Sequence, residues 1–222
     1  MKKFIKFFIL LTFLIIFSTY TPKFNLQYDS FIFPIKNIKI ENNKILSQDT
    51  LVKSLQFLKH QSLVFINETS VEKKLLKYDF VSSFKIKKIY PDTIQITIYE
   101  KEPVAIHIDS VNKFYISING DRIKYLEHKN YKNLPLIFGK NINFSEFYKS
   151  LVNLKFPINS IRSFHYFDIN RWDITLKNKK VIKLPSNDYV KSIENFIEIV
   201  DKKAFLKYKI FDYRINNQLI LN

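Results

Sequence analysis

Hydrophobic and polar positions divide the chain into stretches of different period. The first is a basic cluster, Met1-Lys2-Lys3-Phe4-Ile5-Lys6, running into an apolar block from Phe7 to Phe17 in which only Thr12 is polar. A basic end before an apolar block marks a cleaved signal peptide or a retained anchor. Cleavage needs small residues, yet the only alanines are Ala105 and Ala204, and the exit Ser18-Thr19-Tyr20-Thr21-Pro22 carries a bulky Tyr20. The pattern therefore predicts a retained single-pass anchor over 4–21, with Lys6 snorkelling and Tyr20 at the interface, since a span takes about 20 residues. Lys2, Lys3 and Lys6 would keep a short tail, 1–6, in the cytoplasm and put everything after Lys23 on the far side.

From Ile35 the period becomes two: Ile38 and Ile40 share a face across lysines, which predicts a strand over 35–41 and a turn at Asn42-Asn43. Ser47 then caps a helix whose apolar face is Leu51, Leu55 and Leu58. After the connector Leu63–Asn67, Thr69 and Glu72 have the spacing of a capping box before a stripe of Val71, Leu75 and Leu76. Phe84 and Ile86 alternate with lysines, Tyr90-Pro91-Asp92 turns the chain, and Ile94, Ile96 and Ile98 alternate with Gln95, Thr97 and Tyr99. The order is strand, helix, helix, strand, strand. Pro103 closes it, because proline breaks strand pairing. Glu100 and Glu102 are candidates for ion pairs at that boundary.

Beyond Pro103 strands dominate. Residues 114–119 alternate into Asn119-Gly120, a hairpin signal, with a return strand over 121–126. A helix is predicted from Asn143 to Leu154, lined by Phe144, Phe147, Leu151 and Leu154 and capped by Asn143. Strands follow at Ile161–Phe167, Trp172–Leu176 and Val181–Leu184, then a helix from about Asn187 burying Ile193, Phe196, Ile197 and Val200. The segment 207–221 is strand-like.

The run Tyr90-Pro91-Asp92-Thr93-Ile94-Gln95-Ile96-Thr97-Ile98-Tyr99-Glu100-Lys101-Glu102-Pro103-Val104-Ala105 resembles the POTRA domain of the FtsQ/DivIB family of bacterial cell-division proteins. The family pattern is Y/W-P-D, hydrophobic alternation, then E-R-x-P-V-A; Lys101 stands at the arginine, and Asn42 where a turn glycine is usual. Leu134-Pro135-Leu136-Ile137-Phe138-Gly139 resembles the family's L-P-x-x-x-G, whereas the turn Lys177-Asn178-Lys179-Lys180 lacks the usual glycine. The resemblance implies an α+β fold: an N-terminal transmembrane helix, a β-α-α-β-β POTRA domain over 32–103, and a mostly antiparallel β domain with two or so helices over 104–222. It implies a non-catalytic scaffold of the division septum in the inner membrane that links early and late components and uses no cofactor. Its partners would be the FtsB–FtsL pair, with FtsW/FtsI and FtsK as further ones.

Composition narrows the chemistry. The 222 residues include no cysteine and two isolated glycines, Gly120 and Gly139, which excludes thiolate chemistry, disulfides and glycine-rich phosphate loops. The net charge of +16 rests on lysine, with arginine only at 122, 162, 171 and 214. Arginine is the usual fork for phosphate and guanine, so a solvated lysine surface is preferred to nucleic-acid binding. The histidines 60, 107, 128 and 165 have no metal-ligand spacing, Asp168 near His165 reads as a solvated loop pair, and Trp172 reads as sheet core rather than a sugar platform. Two rival readings are another POTRA-containing assembly factor, disfavoured because no barrel-like series of strands follows, and a basic exported binder of nucleic acid or anionic polymer.

The partner site is expected at the end of the sequence. Residues 210–221 read as one strand, with Phe211, Tyr213 and Ile215 on one face and Ile210, Asp212 and Arg214 on the other. Asp212-Tyr213-Arg214-Ile215 resembles the family's D-x-R-Y, with Ile215 in place of tyrosine. Nothing after Asn222 covers this strand, so it is read as an open sheet edge that an FtsB segment extends by strand addition, engaging Asp212, Tyr213, Arg214, Ile215, Asn217 and Leu219.

Overall fold

The computed structural model describes residues 2–19, 32–140, 143–215 and 218–222. The apolar block forms α1 (Lys2–Thr19), 18 residues long, with side chains from Phe4 to Phe17 exposed. At 1.5 Å per residue it reaches about 27 Å, against about 30 Å of bilayer hydrocarbon. Among the described residues no helix is both long and apolar enough to cross a membrane. The anchor expected over 4–21 is thus met only as a short helix with Lys2, Lys3 and Lys6 inside it; residues 20 and 21 lie outside the described residues.

By packing, the chain separates into two compact units whose segments alternate along the sequence. One takes the residues up to Glu41, Gln48–Lys74 and Lys85–Thr97; the other takes Asn42–Ser47, Leu75–Phe84 and Ile98–Asn222. A three-stranded sheet, most of whose residues fall in the first, has the order β1-β3-β2, from β1 (Asn37–Glu41), β2 (Val81–Ile89) and β3 (Thr93–Glu100). β1 runs parallel to β3 with Ile38 beside Ile94 and Ile40 beside Ile96, so the alternating isoleucines share one buried face. The helices are α2 (Gln48–Ser54), continued by a 3-10 turn at Gln56–Leu58, and α3 (Glu68–Leu75). Leu51, Leu55 and Leu58 are fully buried. The expected Thr69–Glu72 capping box is not used: Asn67 Oδ1 accepts the Ser70 N–H at 3.2 Å, placing the cap two residues earlier and leaving Leu76 half exposed.

In the second unit, nine strands form one mixed sheet in the order β12-β11-β10-β9-β8-β7-β4-β5-β6. They are β4 (Pro103–Asp109), β5 (Asn112–Ser117), β6 (Arg122–Lys124), β7 (Leu136–Phe138), β8 (Ile161–Phe167), β9 (Arg171–Leu176), β10 (Val181–Lys183), β11 (Ile210–Asp212) and β12 (Ile220–Leu221). The pairs β4–β7, β7–β8 and β10–β11 are parallel. Two helices, α4 (Phe144–Asn153) and α5 (Tyr189–Ile199), bury Phe144, Phe147, Leu151, Ile193 and Phe196 in one core with Trp172, Ile174 and Phe211. Trp172 is 5% exposed and lies flat on Phe147, with ring centroids 5.2 Å apart and 6° between planes, so it is core. Asn143 occupies the cap position of α4 with φ 56° and makes no side-chain cap bond.

Neighbouring strand residues face opposite sides. Ile106, Tyr115 and Ile123, side by side on β4, β5 and β6, therefore build a second cluster with Phe80, Ile45 and Leu46 on the other face. Glu100 organises the segment that reaches it: its carboxylate accepts the main-chain N–H groups of Lys44, Ile45 and Leu46 at 3.1, 2.9 and 2.9 Å. That replaces the ion pair expected of Glu100, and gives the E-K-E-P-V-A run a structural task. Both missing glycines are explained by the residue that stands in. Asn42 takes φ 63° and donates from Nδ2 to the Ile98 carbonyl at 2.9 Å, and Lys179 takes φ 70° beside Asn178, whose Oδ1 accepts the Lys180 N–H.

Candidate functional site

The segment 210–221 is not one strand. β11 lies between β10, to which it is parallel, and β12, to which it is antiparallel. The Tyr213 N–H makes the last ladder bond to β10, donating to the Lys183 carbonyl at 2.8 Å, and beyond it the Gln218 N–H donates to the Ile215 carbonyl at 3.1 Å. Asp212, Tyr213, Arg214 and Ile215 therefore do not line the edge as expected; two residues beyond Leu219, Ile220 and Leu221, form it. Asn217 lies outside the described residues.

Each named residue has a different surrounding. Asp212 is 7% exposed and is clamped by Arg214, whose Nε donates at 2.8 and 3.0 Å and Nη2 at 2.6 Å, while the Arg214 N–H donates at 3.1 Å. Hydrogen bonds from that guanidinium hold the Asp212 carboxyl below its usual range, against the opposing effect of burial. The D-x-R spacing makes this possible: Asp212 Oδ1 accepts the main-chain N–H two residues on, an Asx-type turn that brings the Arg214 side chain back to the carboxylate. The Tyr213 ring turns into the core and its hydroxyl donates to Asn195 Oδ1 at 3.0 Å; burial pushes its pKa up. Leu219 packs half-buried against the same core, and Ile215 is half exposed.

The edge itself is defined by hydrogen bonding. Ile210 N–H donates to Asn222 C=O at 2.8 Å and Asn222 N–H to Ile210 C=O at 3.1 Å. Hydrogen-bonded and non-hydrogen-bonded pairs alternate in an antiparallel ladder, so the Leu221 N–H and C=O point away from β11. Residues of α5 and Tyr213, Ile215, Gln218 and Leu219 line a cleft of about 440 Å³ together with Pro185 and others.

Across the outer face of the same half-sheet, His165, Asp173, Lys183 and Asp212 stand in register on β8, β9, β10 and β11. Asp173 is 7% exposed and lies 3.3 Å from Arg171 Nε, an ion pair without good hydrogen-bond geometry; burial raises its pKa and Arg171 opposes the rise. His165 contacts Ser163 Oγ through Nε2 at 3.1 Å and stacks on Phe138; burial lowers its pKa. Asp168 instead pairs with Lys140 at 3.1 Å, and His107 Nε2 meets the Gly139 carbonyl at 2.7 Å. Among the described residues no group of three His, Cys, Asp or Glu side chains is placed to hold a metal.

A three-stranded unit with two helices, followed by a mixed sheet carrying two helices on one face, is the order of a POTRA domain and a β domain. The model of the POTRA domain, FtsQ-type, matches residues 33–101, and that of the cell division protein FtsQ/DivIB C-terminal region matches residues 105–214. The chain belongs to the FtsQ/DivIB family of cell-division proteins. It is 27% identical over 194 residues to the cell division protein FtsQ of Rickettsia bellii, covering 84% of this chain and 71% of that one. It is 23% identical over 180 residues to the FtsQ of Rhizobium meliloti, covering 80% of this chain but 58% of the relative. The solved major extracytoplasmic domain of DivIB from Geobacillus stearothermophilus aligns at 13% identity over 46% of this chain and 92% of its own, with a TM-score of 0.33, a likeness too slight to bear on the fold.

Proposed function

We propose that this chain is a non-catalytic scaffold of the division septum that captures an extracytoplasmic segment of the FtsB–FtsL type by adding a strand to β12. The observation that carries this reading is the edge at Ile220–Leu221, which follows directly in the chain on Gln218 and Leu219 in the lining of the cleft beside α5. Strand addition draws affinity from main-chain hydrogen bonds and selectivity from pockets for alternate side chains. The edge supplies the first, and Ile215, Leu219 and Tyr213 around the cleft supply the second. Arg214, fixed by Asp212, sets a cation between Tyr213 and Ile215 in the chain, both of which line the cleft. FtsW/FtsI and FtsK are proposed as further partners, and the linear division into 32–103 and 104–222 as the functional one.

α1 holds the chain at the inner membrane, with its apolar side chains in the bilayer and its lysines at the cytoplasmic headgroups; the POTRA and β domains then lie outside the cytoplasm. A fluorescent fusion in dividing bacteria tests the whole reading. It is expected to form a band at mid-cell and to remain in the membrane fraction after carbonate extraction. A diffuse or evenly peripheral signal would sink the division reading.

A further inference from the structure

The two ends of the nine-stranded sheet carry charge differently. Where β4, β7 and β8 finish, cations face carboxylates: Arg122 lies 4.0 Å from Asp109 and Lys140 3.1 Å from Asp168. At the opposite end, where β9 finishes and β10 and β11 begin, main-chain bonds gather two lysine-rich segments. One is the turn Lys177-Asn178-Lys179-Lys180; the other is Lys202-Lys203-Ala204-Phe205-Leu206-Lys207-Tyr208-Lys209. The Val181 N–H donates to the Lys209 carbonyl at 2.7 Å. Lys180, 9% exposed, joins the two more firmly. Its Nζ donates to the carbonyls of Phe205, Leu206 and Tyr208 at 3.3, 3.4 and 3.0 Å and sits 5.0 Å from the Phe211 ring centre.

The remaining lysines are turned outward. Lys177, Lys179, Lys203, Lys207 and Lys209 are exposed, and none takes part in an ion pair among the described residues; Lys202 alone is paired, with Glu198. Amid them Leu206 is 57% exposed. Base-composition drift toward lysine does not separate a neutralised end from a bare one. Lysine is a compact point charge on a flexible stem, suited to a diffuse array of phosphates rather than to a single forked contact. An apolar side chain among lysines is the composition of a surface that settles into a headgroup layer.

We propose that this end of the domain docks on an anionic bilayer surface, with the five lysines over lipid phosphates and Leu206 entering the headgroup boundary. The inference rests on the reading of α1 as membrane-held, which brings a bilayer to this chain. The cysteine-free sequence allows one probe per molecule, so full-length Leu206→Cys is labelled with an environment-sensitive fluorophore, and Val111→Cys, 91% exposed in the β4–β5 turn, is the control. On vesicles containing phosphatidylglycerol, emission at 206 is expected to rise at least about threefold over phosphatidylcholine vesicles. It should fall back in high salt, since screening weakens surface attraction, and in Lys177→Glu/Lys179→Glu/Lys203→Glu. Equal emission at 206 on both vesicles, or an equal rise at 111, overturns the proposal, as does a response to soluble polyphosphate with none to vesicles. Flotation of the same samples reads α1 separately. If the chain fails to float with neutral vesicles, the α1 reading fails. Flotation with anionic vesicles that the triple glutamate variant abolishes then still supports the basic end, and its absence overturns it.

Discussion

The nine-stranded sheet ends in two edges that are treated in opposite ways. At β6, the Lys124 N–H is taken by the Asp79 carboxylate at 3.1 Å, and the Arg122 guanidinium lies 3.4 Å from the Phe114 ring centre. Side chains there satisfy the main chain and flank the strand with charge, which blocks further pairing. At β12 the sheet offers two residues, one of them, Ile220, 42% exposed, and no side chain among the described residues bonds its outward groups. An edge this short does not template unlimited pairing, yet it can receive one strand whose side chains also fit the neighbouring cleft. On the proposed reading, the difference separates protection from recognition within a single sheet.

The largest effect should come from closing the open edge. Leu221→Pro removes the outward donor without touching the Ile210–Asn222 bonds. Capture of the FtsB–FtsL pair by the full-length protein is expected to weaken at least about fivefold, the loss of one main-chain hydrogen bond at about 1 kcal/mol. Leu221→Ala keeps the donor and should bind within about threefold of the parent, since it forfeits packing but no main-chain bond. Titration calorimetry that finds the proline variant unimpaired would move docking away from β12.

The protected edge should respond in stability and not in binding. Asp79→Ala strips the cap from the Lys124 N–H, a partly solvated contact worth about 1 kcal/mol. A drop of about 3 °C in Tm with partner affinity unchanged is the expected result in parallel melts and titrations. An affinity loss matching that of Leu221→Pro would show that both edges serve the partner and would dissolve the contrast.

These two edges also mark where sequence patterning stops being informative. Period-two runs such as Ile94-Ile96-Ile98 and helical spacings such as Phe144-Phe147-Leu151 name their own buried faces, because burial of one face is what writes the pattern. The cap of α3 was ambiguous because Asn67 and Thr69 are both capping types two residues apart, and the rest of the fold chooses between them. The final segment was harder. Phe211, Asp212 and Tyr213 are all buried, so no alternation marks the point where the ladder ends. The neighbour of β11 on its inner side is β10, with all of α5 lying between them in the sequence. An edge is a property of that long-range pairing, which local pattern does not contain. The D-x-R spacing was legible as a shared strand face, but Arg214 lies beyond β11 and reaches Asp212 through a local side-chain-to-main-chain turn.

A smaller effect should separate the clamp from the edge it borders. Asp212→Asn frees the Arg214 guanidinium while leaving the β11–β12 pairing in place. Affinity for the partner is expected to fall about threefold, the scale of one partly exposed charge-assisted contact. The pH dependence gives its signature. The Asp212 carboxyl titrates below its ordinary 3.8 in the folded protein, so its contribution is full above that value and is lost as pH falls through the lower folded pKa. Parent and variant should therefore differ by a constant amount in stability from pH 7 to pH 5 and converge in stronger acid. Convergence already at pH 6 would mean that another group controls the turn.

The smallest expected effect lies on the outer face between the two edges, and its sign is opposite in origin. His165 is partly buried against Phe138 and Ser163, and burial lowers its pKa beneath the ordinary 6.5, with the Asp173 carboxylate partly restoring it. The unfolded chain binds this proton more readily than the folded one, so folding is favoured above 6.5 and penalised as pH falls through 6.5 toward the lower folded value. Asp173 acts in the other direction. Its pKa is raised by burial, so the cost of keeping it ionised is relieved in acid. Asp173 is present in both the parent and His165→Gln, so between pH 7 and pH 5 the difference between the two isolates the His165 contribution. His165→Gln keeps a donor and an acceptor near Ser163 and removes the titration. Its denaturant midpoint should lose less than the parent's over that interval, with the two curves parallel at pH 7 and above. If the parent and His165→Gln fall together on acidification, the outer face does not sense pH through this ring, and the contrast between the edges rests on hydrogen bonding alone.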